Sequence, residues 1–371
     1  MKIAIVSPPL NKSGGVGTLY RYAYPNFPKE LKVNWIDSRG PWENPIFSIL
    51  TVLLAILKLT YLRVIGSLDL VHINLGAKGS TFRKLIIAGY VKSVLRTPYV
   101  LQLHASGFDH FFAKLPNFLK NSILNFLNNS SGILVLGNVW KNFLSQAGVS
   151  SELLTILPMG VPDLLKIDNP DLDPSRKKAS EEFRVGSLQS AFYILYSGEM
   201  SERKGLQILI EAIAQLHDPN IRLVVAGAGD VSHYRNLAKN LEIEKNVVFL
   251  GLVDPSVVHQ ILSYVDLFVL PSRAEGLPVS ILEAFSAGVW TLATQAGATA
   301  EFAAEGMGIT YLLSRDPEEL AIKISTQLAQ RNQNPGKTGV DAPGRHLWEE
   351  KFNVQETTVQ LVTYWANHAR A

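Results

Sequence analysis

Apolar residues fall in short runs separated by longer stretches with a helical period. Ile3–Val6, Val33–Ile36, Leu70–Ile73, Tyr99–Leu103 and Ile133–Leu136 are four or five residues each and rich in β-branched side chains, so each predicts a strand. Nearly continuous apolar strands alternating with helices predict a parallel sheet covered on both faces. The pattern restarts at Tyr193–Tyr196, Leu223–Ala226, Val247–Leu250, Leu267–Leu270 and Thr291–Ala293, which predicts a second α/β sheet. Between them Lys166–Ser190 is rich in Asp, Pro, Lys and Ser and reads as a linker. The expected organisation is therefore a domain over 1–165, a linker over 166–190 and a second domain over 191–345, followed by a C-terminal tail. One further segment, Ile46–Leu57, is twelve almost uninterrupted apolar residues. It is shorter than the roughly 20 residues of a spanning helix, and Lys58 and Arg63 interrupt its continuation. It predicts a buried or surface-docked helix.

Composition narrows the class. At 371 residues with 47% hydrophobic and 18% charged, the chain can bury two cores and is not disordered. The absence of cysteine excludes a disulfide scaffold, a thiolate metal site and a cysteine nucleophile, and fits a reducing compartment. Met1–Val6 is strand-like and lacks the anatomy of a signal peptide, so a cytoplasmic location is expected. The net charge of +3 hides an asymmetry: residues 1–165 carry 16 Lys and Arg against 7 Asp and Glu, and the rest 19 against 25. Several motif matches fail on context. Gly336-Lys337-Thr338 lacks the upstream glycine of a phosphate loop, Arg331 standing in its place. Asp171-Leu172-Asp173 lies in the linker with no strand before it, and Gly227-Ala228-Gly229 lacks its third glycine, Ser232 standing there. Histidines lack metal-ligand spacing, so no metal site is expected.

Four constellations carry candidate chemistry. Ser13-Gly14-Gly15-Val16-Gly17 opens a helix soon after the first strand, where glycine permits close backbone approach and free amides favour an anion. Tyr196-Ser197-Gly198-Glu199-Met200-Ser201-Glu202-Arg203-Lys204-Gly205 follows the first strand of the second domain and precedes the helix Leu206–Leu216. Its adjacent cations suit a diphosphate. Pro271 to Ala284 carries Glu275 in a loop and Glu283 in the following helix, with Pro278 at its start. Carboxylates beyond the carboxyl ends of parallel strands can accept hydrogen bonds from sugar and ribose hydroxyls. His104 stands where a first-domain strand should end.

In this order, Gly14-Gly15-Val16-Gly17, His104, Arg203-Lys204-Gly205 and Glu275-x7-Glu283 resemble the retaining glycosyltransferases of family four, over nearly the whole chain. The Glu275–Glu283 block, followed by Ala284 and Gly288, is the most specific part. The resemblance implies an α/β chain of GT-B fold: two Rossmann-like domains facing across a cleft, with a final helix within 346–371, from Trp348 to Ala366, crossing back to the first. It implies that the first domain binds the acceptor and the second a nucleotide sugar, as co-substrate and with no cofactor. Arg203 and Lys204 would hold the diphosphate, and Glu283 the ribose. Glu275 would contact the donor sugar near its reacting carbon, and His104 would contact it from the other domain. Gly14, Gly15, Val16 and Gly17 would close near phosphates and acceptor, and Gly198, Gly227, Gly276 and Leu277 would line the donor pocket. Two positions depart from the family pattern. Glu199 stands where an arginine is common and is expected to point away, leaving Arg203 as the fork. Gly297-Ala298-Thr299-Ala300-Glu301 has lost one glycine of a Gly-Gly-x-x-Glu loop.

The reading is a retaining, metal-independent sugar transferase. The rival readings are a nucleotide-sugar epimerase on the same fold and a non-catalytic sugar-nucleotide-binding protein. The basic first domain has no recognised nucleic-acid motif, so no nucleic-acid partner is expected. Arg83, Lys84, Lys92 and Arg96, then Lys114 and Lys120 beside Phe111, Phe112, Leu115, Phe118 and Leu119, suit an anionic membrane surface. A glycan or lipid-linked acceptor is the corresponding expectation.

Overall fold

The computed structural model describes residues 1–10, 14–38, 45–104, 106–166, 191–302, 309–312, 314–333 and 342–369. Contacts divide the chain into two compact units. One comprises Met1–Val161, Glu275–Leu277 and Phe352–Ala371; the other comprises Pro162–Ala274 and Pro278–Lys351.

In the first unit the elements run β1 (Lys2–Ser7), α1 (Gly15–Ala23), β2 (Lys32–Asp37), α2 (Pro45–Val64), β3 (Leu70–Leu75), α3 (Gly79–Ser93), β4 (Tyr99–Leu103), α4 (Phe108–Ala113), α5 (Asn117–Asn128), β5 (Gly132–Val135), α6 (Asn138–Ala147) and β6 (Leu154–Ile156). The strands pair in parallel in the order β2-β1-β3-β4-β5-β6. All residues of β3, β4 and β5 are buried, as a sheet covered on both faces requires. The chain moves one way from β1 to β2 and the other way from β3 onward. The switch therefore lies between β1 and β3, where ligands of open α/β sheets bind beyond the carboxyl ends.

The second unit repeats the plan with β7 (Phe192–Ser197), α7 (Leu206–Leu216), β8 (Ile221–Ala226), α8 (Val231–Asn240), β9 (Val247–Gly251), α9 (Pro255–Leu262), β10 (Leu267–Leu270), α10 (Val279–Ser286), β11 (Trp290–Thr294), β12 (Ile309–Leu312), α11 (Pro317–Gln333) and α12 (Pro343–Lys351). The parallel order is β12-β11-β10-β7-β8-β9, with its switch between β7 and β10. Within this unit Arg345 of α12 forks onto Asp163 at 2.7 and 2.8 Å.

The expected single helix from Trp348 to Ala366 is two helices, α12 and α13 (Val354–His368). Asn353 breaks it: its side chain accepts from the Gln355 amide at 2.9 Å as an N-cap. Beyond the break α13 packs on α1 and β4 of the first unit. There the Trp365 indole donates to His72 Nδ1 at 2.8 Å. Gly160 passes so close that a Cβ would lie 2.3 Å from the Phe352 carbonyl oxygen.

Candidate functional site

In the second unit β7 and β10 are hydrogen-bonded neighbours, so the loops after them meet at the switch point. Two glycines press the chain together there. Gly227 has φ +147°, and a Cβ on it would lie 1.8 Å from the Gly198 carbonyl oxygen. Gly205 has φ +77°, and a Cβ on it would lie 2.2 Å from the Pro271 carbonyl oxygen. Only glycine fits either place. The Gly198 amide donates to Ala226 at 2.9 Å and the Met200 amide to Ala228 at 2.7 Å, fixing the loop that leads into Arg203 and Lys204.

Those two cations form a single 3₁₀ turn, Glu202–Lys204, directly before α7. No side chain caps α7, so its first amides stay open toward an anion. The Arg203 guanidinium donates from Nη1 to the Ala274 carbonyl at 3.1 Å. Its Nη2 lies 3.1 Å from Oε2 of Glu199. Glu199 was expected to point away; instead it turns onto the fork. A four-residue spacing on a tight loop brings the two charges together, and pairing is the cheapest arrangement for both. With side chains 35% and 60% exposed, such a pair contributes under about 1 kcal/mol, so it is weak enough for an anionic ligand to displace the carboxylate.

Sequence reasoning missed the supports around this turn. Arg315 donates to the Glu202 carbonyl at 2.6 Å and to the Pro271 carbonyl at 3.1 Å. Arg273 meets Glu202 Oε1 at 3.2 Å, and its amide donates to the Arg203 carbonyl at 2.7 Å. The buried hydroxyls of Ser201 and Ser272 have no hydrogen-bond partner, which fits a place for ligand oxygens. Glu283, on α10, is buried, and its Oε1 lies 3.5 Å from Nε2 of His259 on α9. Nothing local in the sequence pairs residues 24 apart; only the folded register of α9 and α10 does.

In the first unit Gly14 caps α1 with φ +139° and no side-chain bond, leaving the amides at Gly15 and Val16 open. Gly14 and Gly15 are exposed, Val16 half-buried and Gly17 buried. Arg21 fixes this loop, donating to the Leu10 carbonyl at 2.6 Å and to Thr18 Oγ1 at 2.8 Å. His104 follows β4, its amide donating to the Leu75 carbonyl at 3.2 Å. Its Nε2 is buried without a partner. Burial first, then the neighbouring His72 and Lys84, pushes its pKa down to about 3. His104 is therefore a neutral imidazole, suited to hydrogen-bonding a hydroxyl rather than to donating a proton.

Behind it lies a buried polar chain. His72 Nδ1 accepts from Trp365, so the neutral ring carries its proton on Nε2, which donates to Tyr20 Oη at 3.0 Å. Tyr20 in turn donates to Asn74 Oδ1 at 3.2 Å. Lys84 belongs to this interior too. It is 3% exposed, its Nζ donates to Ser80 Oγ at 2.9 Å, and burial pushes its pKa down to about 7. The expectation of a surface cation at Lys84 is thus corrected: its turn of α3 faces the sheet. Phe112 is likewise core rather than an exposed aromatic, stacked on Phe108.

Within the second unit the fold brings Gly198, Arg203, Lys204 and Gly227 into one loop cluster, with Glu283 on the adjoining helix. Within the first it brings Gly14, Gly15, Val16, Gly17 and His104 to the carboxyl edge of the sheet. Glu275, Gly276 and Leu277 lie between β10 and α10 and group with the first unit; Glu275 and Gly276 are buried. Gly297 opens a 3₁₀ turn, Gly297–Phe302, at φ +61°. Ser13, Asp171, Asp173 and residues 336–338 lie outside the described residues.

Residues 178–337 match the family model described as glycosyl transferases group 1. Alpha-monoglucosyldiacylglycerol synthase of Streptococcus pneumoniae is 24% identical over 235 residues, covering 61% of this chain and 52% of its own. The chain spans about half the length of the curated relatives it matches. Among solved structures, Anabaena HepE in complex with UDP-glucose aligns with a TM-score of 0.75 at 19% identity, over 99% of this chain and 100% of that one. Sucrose-phosphate synthase of Thermosynechococcus elongatus aligns with a TM-score of 0.79 at 15% identity, over 98% of both. With two parallel six-stranded sheets and these structural neighbours, the chain has the GT-B fold, and its residues 178–337 resemble the group 1 glycosyl transferases.

Proposed function

We propose that the chain transfers a sugar from a nucleotide-diphosphate sugar to an acceptor, with retention at the anomeric carbon and without a metal. The observation that carries this is the Arg203–Lys204 turn at the open amino end of α7, held at the switch point of the second sheet. Transfer builds negative charge on the departing diphosphate. Two cations and aligned amides fixed beforehand stabilise that charge more than they stabilise the bound donor. Glu283, oriented by His259, would hold the ribose, and Glu275 would stand by the reacting sugar. His104, kept neutral, would hydrogen-bond a sugar hydroxyl. No carboxylate is assigned as nucleophile: the diphosphate itself would take the acceptor proton as attack proceeds from the same face. The UDP-glucose complex of HepE supports a nucleotide sugar as donor. The diacylglycerol-based name of the Streptococcus pneumoniae relative supports a lipid-borne or glycan acceptor. The basic composition of residues 1–165 supports acceptor capture on an anionic membrane surface.

The test is a panel of nucleotide sugars read by thermal shift. The stabilising donor is then incubated with lipid and glycan acceptors in EDTA, and the anomeric configuration of the product is read by NMR. Stabilisation by one nucleotide sugar and a product of retained configuration are expected. An altered donor formed without acceptor would replace transfer by epimerisation. Stabilisation without any product would leave a binding protein, and loss of activity in EDTA would reinstate a metal.

A further inference from the structure

The helix α2 carries its apolar residues on both sides. Val52, Ala55, Leu59 and Leu62 are buried against the unit, where α2 packs on β2 and α3. The opposite side does not turn polar. Leu50, Leu53, Leu54, Leu57, Tyr61 and Val64 are between 50% and 79% exposed. They recur every three or four residues, forming one continuous ridge along the helix. A soluble surface helix places charged residues there. Exposed apolar area of this extent on one element marks an interaction surface.

The neighbourhood selects the partner. α2 packs on α3 and α3 on α5, so the three helices form one layer on one face of the first sheet. That layer adds exposed Ile86 and Phe118, and Val94 follows at the end of α3. Besides the buried Lys84, its helices contain Lys58, Arg63, Arg83, Lys92 and Lys120, and not one Asp or Glu. The cations are anchored on neutral groups: Lys58 on the Trp35 carbonyl at 2.6 Å, Arg63 on that of Leu95 at 3.1 Å, Arg83 on that of Ser38 at 3.1 Å, and Lys92 on the Asn129 side chain. Among the described residues no carboxylate pairs with them. A second copy meeting this face would set like charges against like. An apolar ridge flanked by uncompensated cations instead matches the acyl boundary and headgroups of an anionic bilayer. Because Val52, Ala55, Leu59 and Leu62 stay packed on the unit, the helix would lie along the surface with only its ridge in the bilayer.

We propose that α2 is a membrane-docking element: its ridge enters the acyl boundary of an anionic leaflet, and the cations of α2, α3 and α5 meet the headgroups. This rests on the reading of an acceptor side working at a membrane and adds which element enters it. The test uses the full chain with vesicles of phosphatidylcholine containing about one-third phosphatidylglycerol, against phosphatidylcholine alone. Wild type should sediment with the anionic vesicles at low salt, and Leu53→Glu with Leu57→Glu should weaken this at least tenfold. The same double variant should keep its melting temperature and its thermal shift with a nucleotide sugar. In a separate variant, Leu57→Trp, the indole emission should shift to the blue on adding anionic vesicles. Wild type failing to sediment overturns both docking and the membrane reading of the acceptor side. Equal sedimentation of wild type and the double variant, or no emission shift, overturns docking through α2 alone. Concentration-dependent dimerisation abolished by the double variant, with no vesicle binding, makes the ridge a contact between copies and overturns the proposal. A double variant that has lost the nucleotide-sugar shift would be misfolded, and the Leu57→Trp emission then decides.

Discussion

Glu199 pairs with Arg203, so in the proposed diphosphate clamp one carboxylate would set the strength of the fork. The guanidinium is shared between the Ala274 carbonyl and the Glu199 carboxylate, so one arm of its fork is engaged before any ligand arrives. Under the proposed function a diphosphate would have to displace that carboxylate and then lie near a negative charge. Glu199→Gln keeps the shape and removes the charge, and tighter donor binding by severalfold is expected in calorimetric titration. Lys204→Ala removes a charge needed most as the diphosphate departs, so turnover should fall about a hundredfold while donor affinity falls less. Weaker binding in Glu199→Gln, or wild-type turnover in Lys204→Ala, would contradict the clamp. The identities of these residues were legible from the sequence; their pairing was not, because a four-residue spacing off a helix does not fix which way either chain turns.

At the level of elements, ten of the twelve described strands coincide with apolar runs visible in the sequence. The two that do not, β6 and β12, are three- and four-residue strands at sheet edges. The other two edge strands, β2 and β9, are six and five residues long and were legible, whereas three or four residues are too few to show a period. α2 was legible as apolar and helical, but its burial was not, since a helix apolar all round normally signals a core. Lys84 misled for the opposite reason: in a cationic stretch one lysine looks like another, and only the sheet reveals which turn faces inward. The junction of β7 and β8 with their loops yields a sharp expectation. Gly227→Ala places a Cβ where the Gly198 backbone already stands, at a φ that L-residues rarely adopt. The strands should persist by circular dichroism while the loop before Arg203 shifts. Donor affinity should drop at least tenfold by calorimetric titration, and an unchanged affinity would show that this close approach does not shape the donor loop.

Across the whole molecule the chain closes its first unit last: β1 to β6 are complete by Ile156, yet the helix that covers His72 begins at Val354. The Trp365–His72 bond spans 293 positions, and no sequence pattern announces it. It also fixes a protonation state. Burial pushes the His72 pKa down to about 4, and the Trp365 N–H aimed at Nδ1 leaves a proton there nothing to donate to. The unfolded chain takes up a proton near 6.5 while the folded one does not until about 4. The unfolded state thus binds more protons in that window, and stability falls as pH drops through it, by up to ~1.4 kcal/mol per unit. Trp365→Phe keeps a ring in place but removes the donor. At pH 7 it should cost about 1–3 kcal/mol through the unsatisfied Nδ1. It should also make protonation of His72 easier, so that the acid loss becomes shallower than in wild type. Two compact units need not unfold in one step, so calorimetry at pH 7 and pH 5, with and without a stabilising nucleotide sugar, separates them. The first unit's transition should fall by several degrees in the variant at pH 7, with the gap to wild type narrowing at pH 5. The transition raised by nucleotide sugar should stay where it is. A gap that widens on acidification would mean that His72 is not the group the C-terminal helix keeps neutral.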